Sequence, residues 1–163
     1  MIGFVDIRNA IIGGLNAHLG SDVDVVEGNS VFNKEDYPYV SYVIISTFSG
    51  EFENPKSESY DNGTFTRKED GRMVISFNAH SLDYDEAHVT GLDAISYFEF
   101  FGSEELYESN IVVVDTEELT DRAILIVDEQ ERRLQFDVTF RVESVLEKNI
   151  TNIDEANIDY NIL

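Results

Sequence analysis

The sequence predicts an α+β domain, a mixed but mainly antiparallel sheet of about four to five strands with two helices packed on one face. Three observations predict it. In ERRLQFDVTFRVE, Leu134, Phe136, Val138, Phe140 and Val142 alternate with Gln135, Asp137, Thr139, Arg141 and Glu143, so a long strand has one apolar and one polar face. Two stretches carry apolar residues at helical spacing. Finally, 163 residues with 42% hydrophobic and 12% aromatic content suffice for one domain core.

In chain order, residues 3 to about 19 place Phe4, Ile7, Ile11 and Leu15 on one helical stripe, and Gly20 stops the helix. Gly13-Gly14 in mid-helix costs roughly 1 kcal/mol per glycine relative to alanine, so either the helix is weak there or something packs against its backbone. Asp22 to Glu27 alternates as a short strand, and Gly28 to Asp36 is a polar loop. Tyr37-Pro38-Tyr39 opens a strand, YVSYVIISTF, apolar on both parities and therefore central.

Residues 49–71 have little periodicity and are expected as one long loop, with Tyr60 and Phe65 on it as contact residues. Arg72 to Ser81 is a strand with Met73, Ile75, Phe77 and Ala79 inward. A second helix follows from about Tyr84 to Phe101, with Asp83 as N-cap and Glu86 three residues on, and Ser103 to Ser109 forms a short acidic connection or one more helical turn. Ile111 to Val114 starts a strand running toward Leu119, and Ala123 to Val127 leads into the long alternating strand. Residues 1–147 thus form a single domain, and 148–163, with Ile153 and Ile158, form a flexible C-terminal arm.

Charge narrows the function. Thirty-three acids against eleven bases give a formal net charge of -22, which repels nucleic acid and anionic membranes and favours basic proteins and cations. No stretch approaches the roughly 18 apolar residues of a membrane span. The N-terminus lacks the basic start and long apolar run of a signal peptide. With no cysteine, disulfides and thiolate metal sites are excluded.

Chemistry is thin. There is no G-x-S-x-G, phosphate loop or G-x-G-x-x-G, so the chain reads as no enzyme and as needing no cofactor. His80, Asp83, Asp85, Glu86 and His88 fall within nine residues, but the acids are explained by a helix N-terminus and the two histidines share no obvious face, so no metal site is assigned. Seven of the eleven bases fall in two segments: Arg67, Lys68 and Arg72, then Arg122, Arg132, Arg133 and Arg141. As a set they would form a positive strip on an acidic body, the complementarity that a head-to-tail ring needs.

Several phrases carry a resemblance: FVDIRNAIIGGLNAHLG, YPYVSYVI, MVISFNAHS, DEAHVTGLDAISYFEFFG, NIVVVDTEELTDR and ERRLQFDVTFRV, together spanning roughly residues 1 to 147. They resemble the neck or tail terminator proteins of long-tailed bacteriophages. The resemblance implies a structural virion protein at the tail-neck junction, assembled in the host cytoplasm. It also implies a homohexameric ring that stops tail-tube polymerisation, binds the tail tube protein and the head-tail connector, and passes DNA through its pore without specific binding. Where that family often carries glycine, Gln135 precedes Phe136-Asp137, which removes a reason to expect a bend there.

Candidate subunit or partner contacts are Tyr60, Phe65, Arg67, Arg72, Arg122, Arg132, Arg133, Ile153 and Ile158. Asp137, Arg141 and Glu143, on the polar face of the last strand, are the candidates for the channel wall or an inter-subunit contact. The alternatives are another neck or head-completion protein, or a soluble acidic DNA mimic that occupies a basic enzyme.

Overall fold

The computed structural model describes residues 3–28, 36–49, 57–122, 124–126 and 129–150. Two long strands organise them. Strand β4 (Thr64–Ser81) and strand β8 (Glu129–Asn149) pair antiparallel without a register shift from Thr64↔Asn149 to Ser81↔Arg132. The ladder runs straight through Gln135, and no bulge interrupts it.

Shorter strands complete both outer edges. Along β4 lie β2 (Tyr39–Ser49), entered through a cis Tyr37–Pro38 peptide, and then β3 (Ser57–Asp61). Strand β1 (Asp24–Glu27) joins β2 in parallel and makes the sheet mixed. Along β8 lie β5 (Ile111–Thr116), β6 (Thr120–Asp121) and β7 (Ile124–Ile126). Seven of these strands form one open, mostly antiparallel sheet, and β7 pairs with the start of β8 as a side ribbon. The main path runs β1-β2-β4-β8-β5.

One face is the core. Register brings Val40 beside Ala79, Tyr42 beside Phe77 and Phe77 beside Phe136, and these side chains are buried with Met73, Ile75, Leu134, Val138, Phe140 and Val142. Over them pack α1 (Phe4–Leu19), α2 (Tyr84–Ser96) and α3 (Ser103–Glu108). A π-helical turn, Tyr97–Phe101, extends α2, and its wider winding turns the adjacent Tyr97 and Phe98 both inward. The Phe98 ring lies 5.0 Å from Phe77 and 5.6 Å from Phe140. Burying a ring of that size contributes roughly 2–3 kcal/mol. The α1 glycines are also resolved: a methyl group at Gly14 would overlap the Tyr97 hydroxyl, whereas one at Gly13 would meet open space.

The expected sheet of four to five strands and two helices is therefore too small: the described residues hold eight strands and three helices. The acidic connection at 103–109 is helix α3, and β6 and β7 were too short to show alternation. The expected loop at 49–71 is corrected over 57–71, which is the β3–β4 hairpin. The turn is Asn62-Gly63, both at positive φ (46° and 82°), the geometry of a two-residue hairpin loop. Strand β8 continues to Asn149, and residues 151–163 of the expected arm, with Ile153 and Ile158, lie outside the described residues.

Candidate functional site

The face of the sheet opposite the helices is polar by register. Across its middle, Gln135 Nε2 donates to Ser76 Oγ at 2.9 Å and lies 3.4 Å from Asp137 Oδ1. Further along, Asp70 stands opposite Glu143 and Arg72 opposite Arg141. Like charges directly across a ladder repel, and on each strand an acid and a base stand two positions apart on this face, so the four form a quartet of two like-charged pairs side by side. Lys68 joins it, with Nζ 3.7 Å from Glu143 Oε1. Asp137, Arg141 and Glu143 thus share this open face, as the alternation of the last strand predicts.

At the other end of the same face is a buried polar network that sequence reading missed. His80 and Glu131 are 4% and 3% exposed, low enough that every polar atom needs a partner. His80 Nδ1 lies 2.6 Å from Glu131 Oε1, and His80 Nε2 lies 2.8 Å from Ser41 Oγ. Tyr37 donates its hydroxyl to Glu131 Oε2 at 2.7 Å, Arg133 donates to Oε1 at 3.2 Å, and the Tyr39 ring stacks on His80 at 4.3 Å.

A carboxylate only accepts, so Nδ1 carries the imidazole proton and Nε2 accepts from the Ser41 hydroxyl. Burial pushes the His80 pKa down, against the hydrogen bond and charge of Glu131 that pull it up. Burial would raise the Glu131 carboxyl, but hydrogen bonds from His80, Tyr37 and Arg133 outweigh it and hold the pKa below the usual range. The order serine, histidine, carboxylate has the spacing of a proton relay. Here its members tie three neighbouring strands together, Ser41 on β2, His80 on β4 and Glu131 on β8.

Beyond Gly71 and Val142 the sheet narrows to β3, β4 and β8 and leaves the helices behind. All five β3 residues are exposed, and neither β4 before Gly71 nor β8 after Val142 has a buried residue. Tyr60 pairs with Phe65 and Phe65 with Lys148, whose Nζ lies 5.3 Å from the Phe65 ring centre. Arg67 pairs with Glu69 and sits 3.9 Å from Glu58. Tyr60 and Leu146 remain exposed on this extension.

The bases do not form one strip. Arg132 lies over the Tyr84 ring at 5.6 Å on the helix side, Arg133 lies on the open face, and Arg122 donates its backbone N–H to the Arg133 carbonyl at 2.6 Å. Arg67 pairs with Leu146 in the ladder, 13 positions beyond Arg133, a separation of roughly 40 Å at about 3.3 Å per residue. Arg67 and Lys68 therefore lie toward one end of the ladder and Arg132 and Arg133 at the other, with Arg72 opposite Arg141 between them.

The acid excess lies elsewhere: residues 73–121, which supply the helices α2 and α3 and the β5 edge, contain twelve Asp and Glu and no Lys or Arg. Asp83 caps α2 by accepting from the Glu86 N–H at 2.8 Å, and the Glu86 carboxylate pairs with Ser81 rather than with the cap backbone. His88 Nδ1 is satisfied by the Tyr84 carbonyl at 2.9 Å. Among the described residues no group of three His, Asp or Glu could hold a metal ion.

A chain in the solved virion of a native gene transfer agent particle is 19% identical, with 80% of this chain and 84% of that chain covered, but its TM-score of 0.32 is too low to carry an argument. No curated protein matches. The family model for phage neck terminator proteins matches residues 9–162, nearly the whole chain. This chain therefore belongs to the phage neck terminator proteins, as a structural component of the virion neck and not an enzyme.

Proposed function

We propose that the protein is the tail terminator itself: six copies close into a ring that caps the finished tail tube, docks the head-tail connector and leaves a pore for DNA at the tail-neck junction. The observation that carries this reading is the β3–β4–β8 extension, a ribbon in which no described residue is buried and on which Tyr60 and Leu146 are exposed. Such a ribbon is suited to reach a neighbouring subunit, and repeating that heterologous contact generates a ring when the rotation closes. The open sheet face with Asp137, Arg141 and Glu143 is the proposed channel or inter-subunit surface. Its bases stand among acids, Asp70 and Glu143 beside Arg72, Arg141 and Lys68, so the wall would offer the passing DNA backbone no strip of positive charge to adhere to.

The test is light scattering and negative-stain microscopy at moderate salt on the wild type and on Tyr60→Ala/Leu146→Ala, both exposed positions that leave the core intact. Rings in the wild type and smaller species in the variant are expected, with loss of tail-length control when the variant replaces the wild type during assembly. Rings of undiminished stability in the variant would remove the extension from the interface. A strictly monomeric wild type that also fails to bind tail tubes would reject the terminator role.

A further inference from the structure

Strand β5 ends the sheet path, and among the described residues no strand pairs with its outer edge. That edge opens on a groove of about 620 Å3 walled on the far side by the π-helical turn and α3, through Phe98, Glu99, Glu104 and Tyr107. The floor is the full length of β5, Ile111 to Thr116, about 20 Å of strand at about 3.3 Å per residue. Tyr107 is 71% exposed and Val114 51% exposed, so apolar surface flanks the unpaired backbone. We propose that this groove accepts an extended segment of another protein, one in which Lys or Arg alternates with apolar residues, as an added strand on β5.

The charge of the groove selects that occupant. Glu99, Glu104 and Asp115 line it, and no Lys or Arg is among its lining residues. In strand addition the main chain supplies affinity and alternate side chains supply specificity, so one row would meet the glutamates and the other Phe98 and Tyr107. A second copy of this chain is a poor source. Among the described strands, Arg67, Lys68, Arg72, Arg132, Arg133 and Arg141 lie where β4 and β8 already have neighbours on both sides, and the stretch of β8 beyond β5 carries a single base, Lys148, rather than an alternating row. The register shift between Val113 and Asp115 also bends the edge away from a flat identical strand, the usual defence against edge-to-edge self-pairing.

The inference does not depend on ring closure and is tested separately. The probe is a fluorescent, end-blocked decapeptide of alternating lysine and valine, titrated into the full chain at about 0.15 M salt, where the Debye length is about 8 Å. Saturable binding is expected, with slowed amide exchange at Val112 to Thr116 and binding weakened about tenfold or more in Glu99→Lys/Glu104→Lys, whose positions are exposed. A peptide with five valines followed by five lysines should bind at least tenfold more weakly. Equal binding of the two peptides, or no loss in the double variant, would reduce the effect to general electrostatics and overturn the proposal. Protection of Val112 to Thr116 on self-association without peptide would assign the groove to a second copy and overturn it equally.

Discussion

At the scale of single residues, Gly13 and Gly14 look alike in sequence and opposite in structure. Gly13→Ala gains helix propensity, up to about 1 kcal/mol, with no new contact, and a raised thermal midpoint is expected. Gly14→Ala gains the same propensity but drives a methyl into the Tyr97 hydroxyl, and overpacking of this kind costs about 1–3 kcal/mol, so the midpoint should fall. Adding Tyr97→Phe removes the overlapping oxygen, and the double variant should recover much of the loss in the same melting experiment. The Tyr97 hydroxyl is itself buried beside Glu105, and that burial pushes its pKa up to about 12, so it stays neutral at any working pH.

The His80 network gives a pH prediction. His80 is held neutral in the folded chain, with a pKa below its unfolded value, so on acidification below about 6.5 the unfolded state takes the proton first and stability falls. Glu131, also lowered, adds a second loss in the same direction once the pH drops below the usual carboxylate range. Urea midpoints should therefore decline from pH 8 to pH 5, and His80→Gln should flatten the part of that decline centred near pH 6. An unchanged slope in His80→Gln would show that another group dominates. Glu131→Ala leaves a buried network without its acceptor and should cost about 3 kcal/mol at pH 7, read from the same urea curves.

At the scale of elements, the β3–β4 hairpin should unfold almost independently of the body. Gly63 sits at φ 82°, so Gly63→Val forces a branched side chain into the left-handed region at a cost of about 1–2 kcal/mol. Because no β3 residue is buried, hydrogen exchange should show the amides of 57–61 and 64–68 losing protection while the global urea midpoint barely moves. A large shift of the global midpoint would mean that the ribbon is part of the cooperative core.

The same hairpin shows what sequence could and could not reveal. Strand β8 was legible because one of its faces is buried, which writes a period of two into Leu134 through Val142. The stretch Thr64 to Asp70 has both faces wet and so carries no such period, and it looked like a loop. The better signal was Asn62-Gly63 between Tyr60 and Phe65, a dipeptide suited to a two-residue hairpin turn. The His80 network left no local trace at all, because Ser41 and Glu131 lie 39 and 51 residues away. Alternation could place Asp137, Arg141 and Glu143 on one face; it could not tell that the bases spread along the length and over both faces of the ladder.

At the scale of the whole molecule, the governing quantity is net charge. Six subunits bring 6 × -22 = -132 formal charges into one proposed ring, while the described ion pairs of the extension are few and largely exposed. Exposed pairs are worth about 0–1 kcal/mol each, so local attraction cannot offset long-range repulsion of that size when screening is weak. At about 0.01 M salt the Debye length is about 30 Å and neighbouring subunits feel one another's full acidic surfaces; at about 0.15 M it is about 8 Å and only direct contacts count. Ring mass measured by light scattering should therefore rise with sodium chloride between these concentrations and then level off. If contacts between Tyr60, Leu146 and a neighbour supply the adhesion, the plateau should persist at still higher salt, since apolar burial is not screened. A ring mass that instead falls steadily with salt would mean that ion pairs hold the subunits together, and the search for the interface would move from the exposed aromatic ribbon to the quartet of Asp70, Arg72, Arg141 and Glu143.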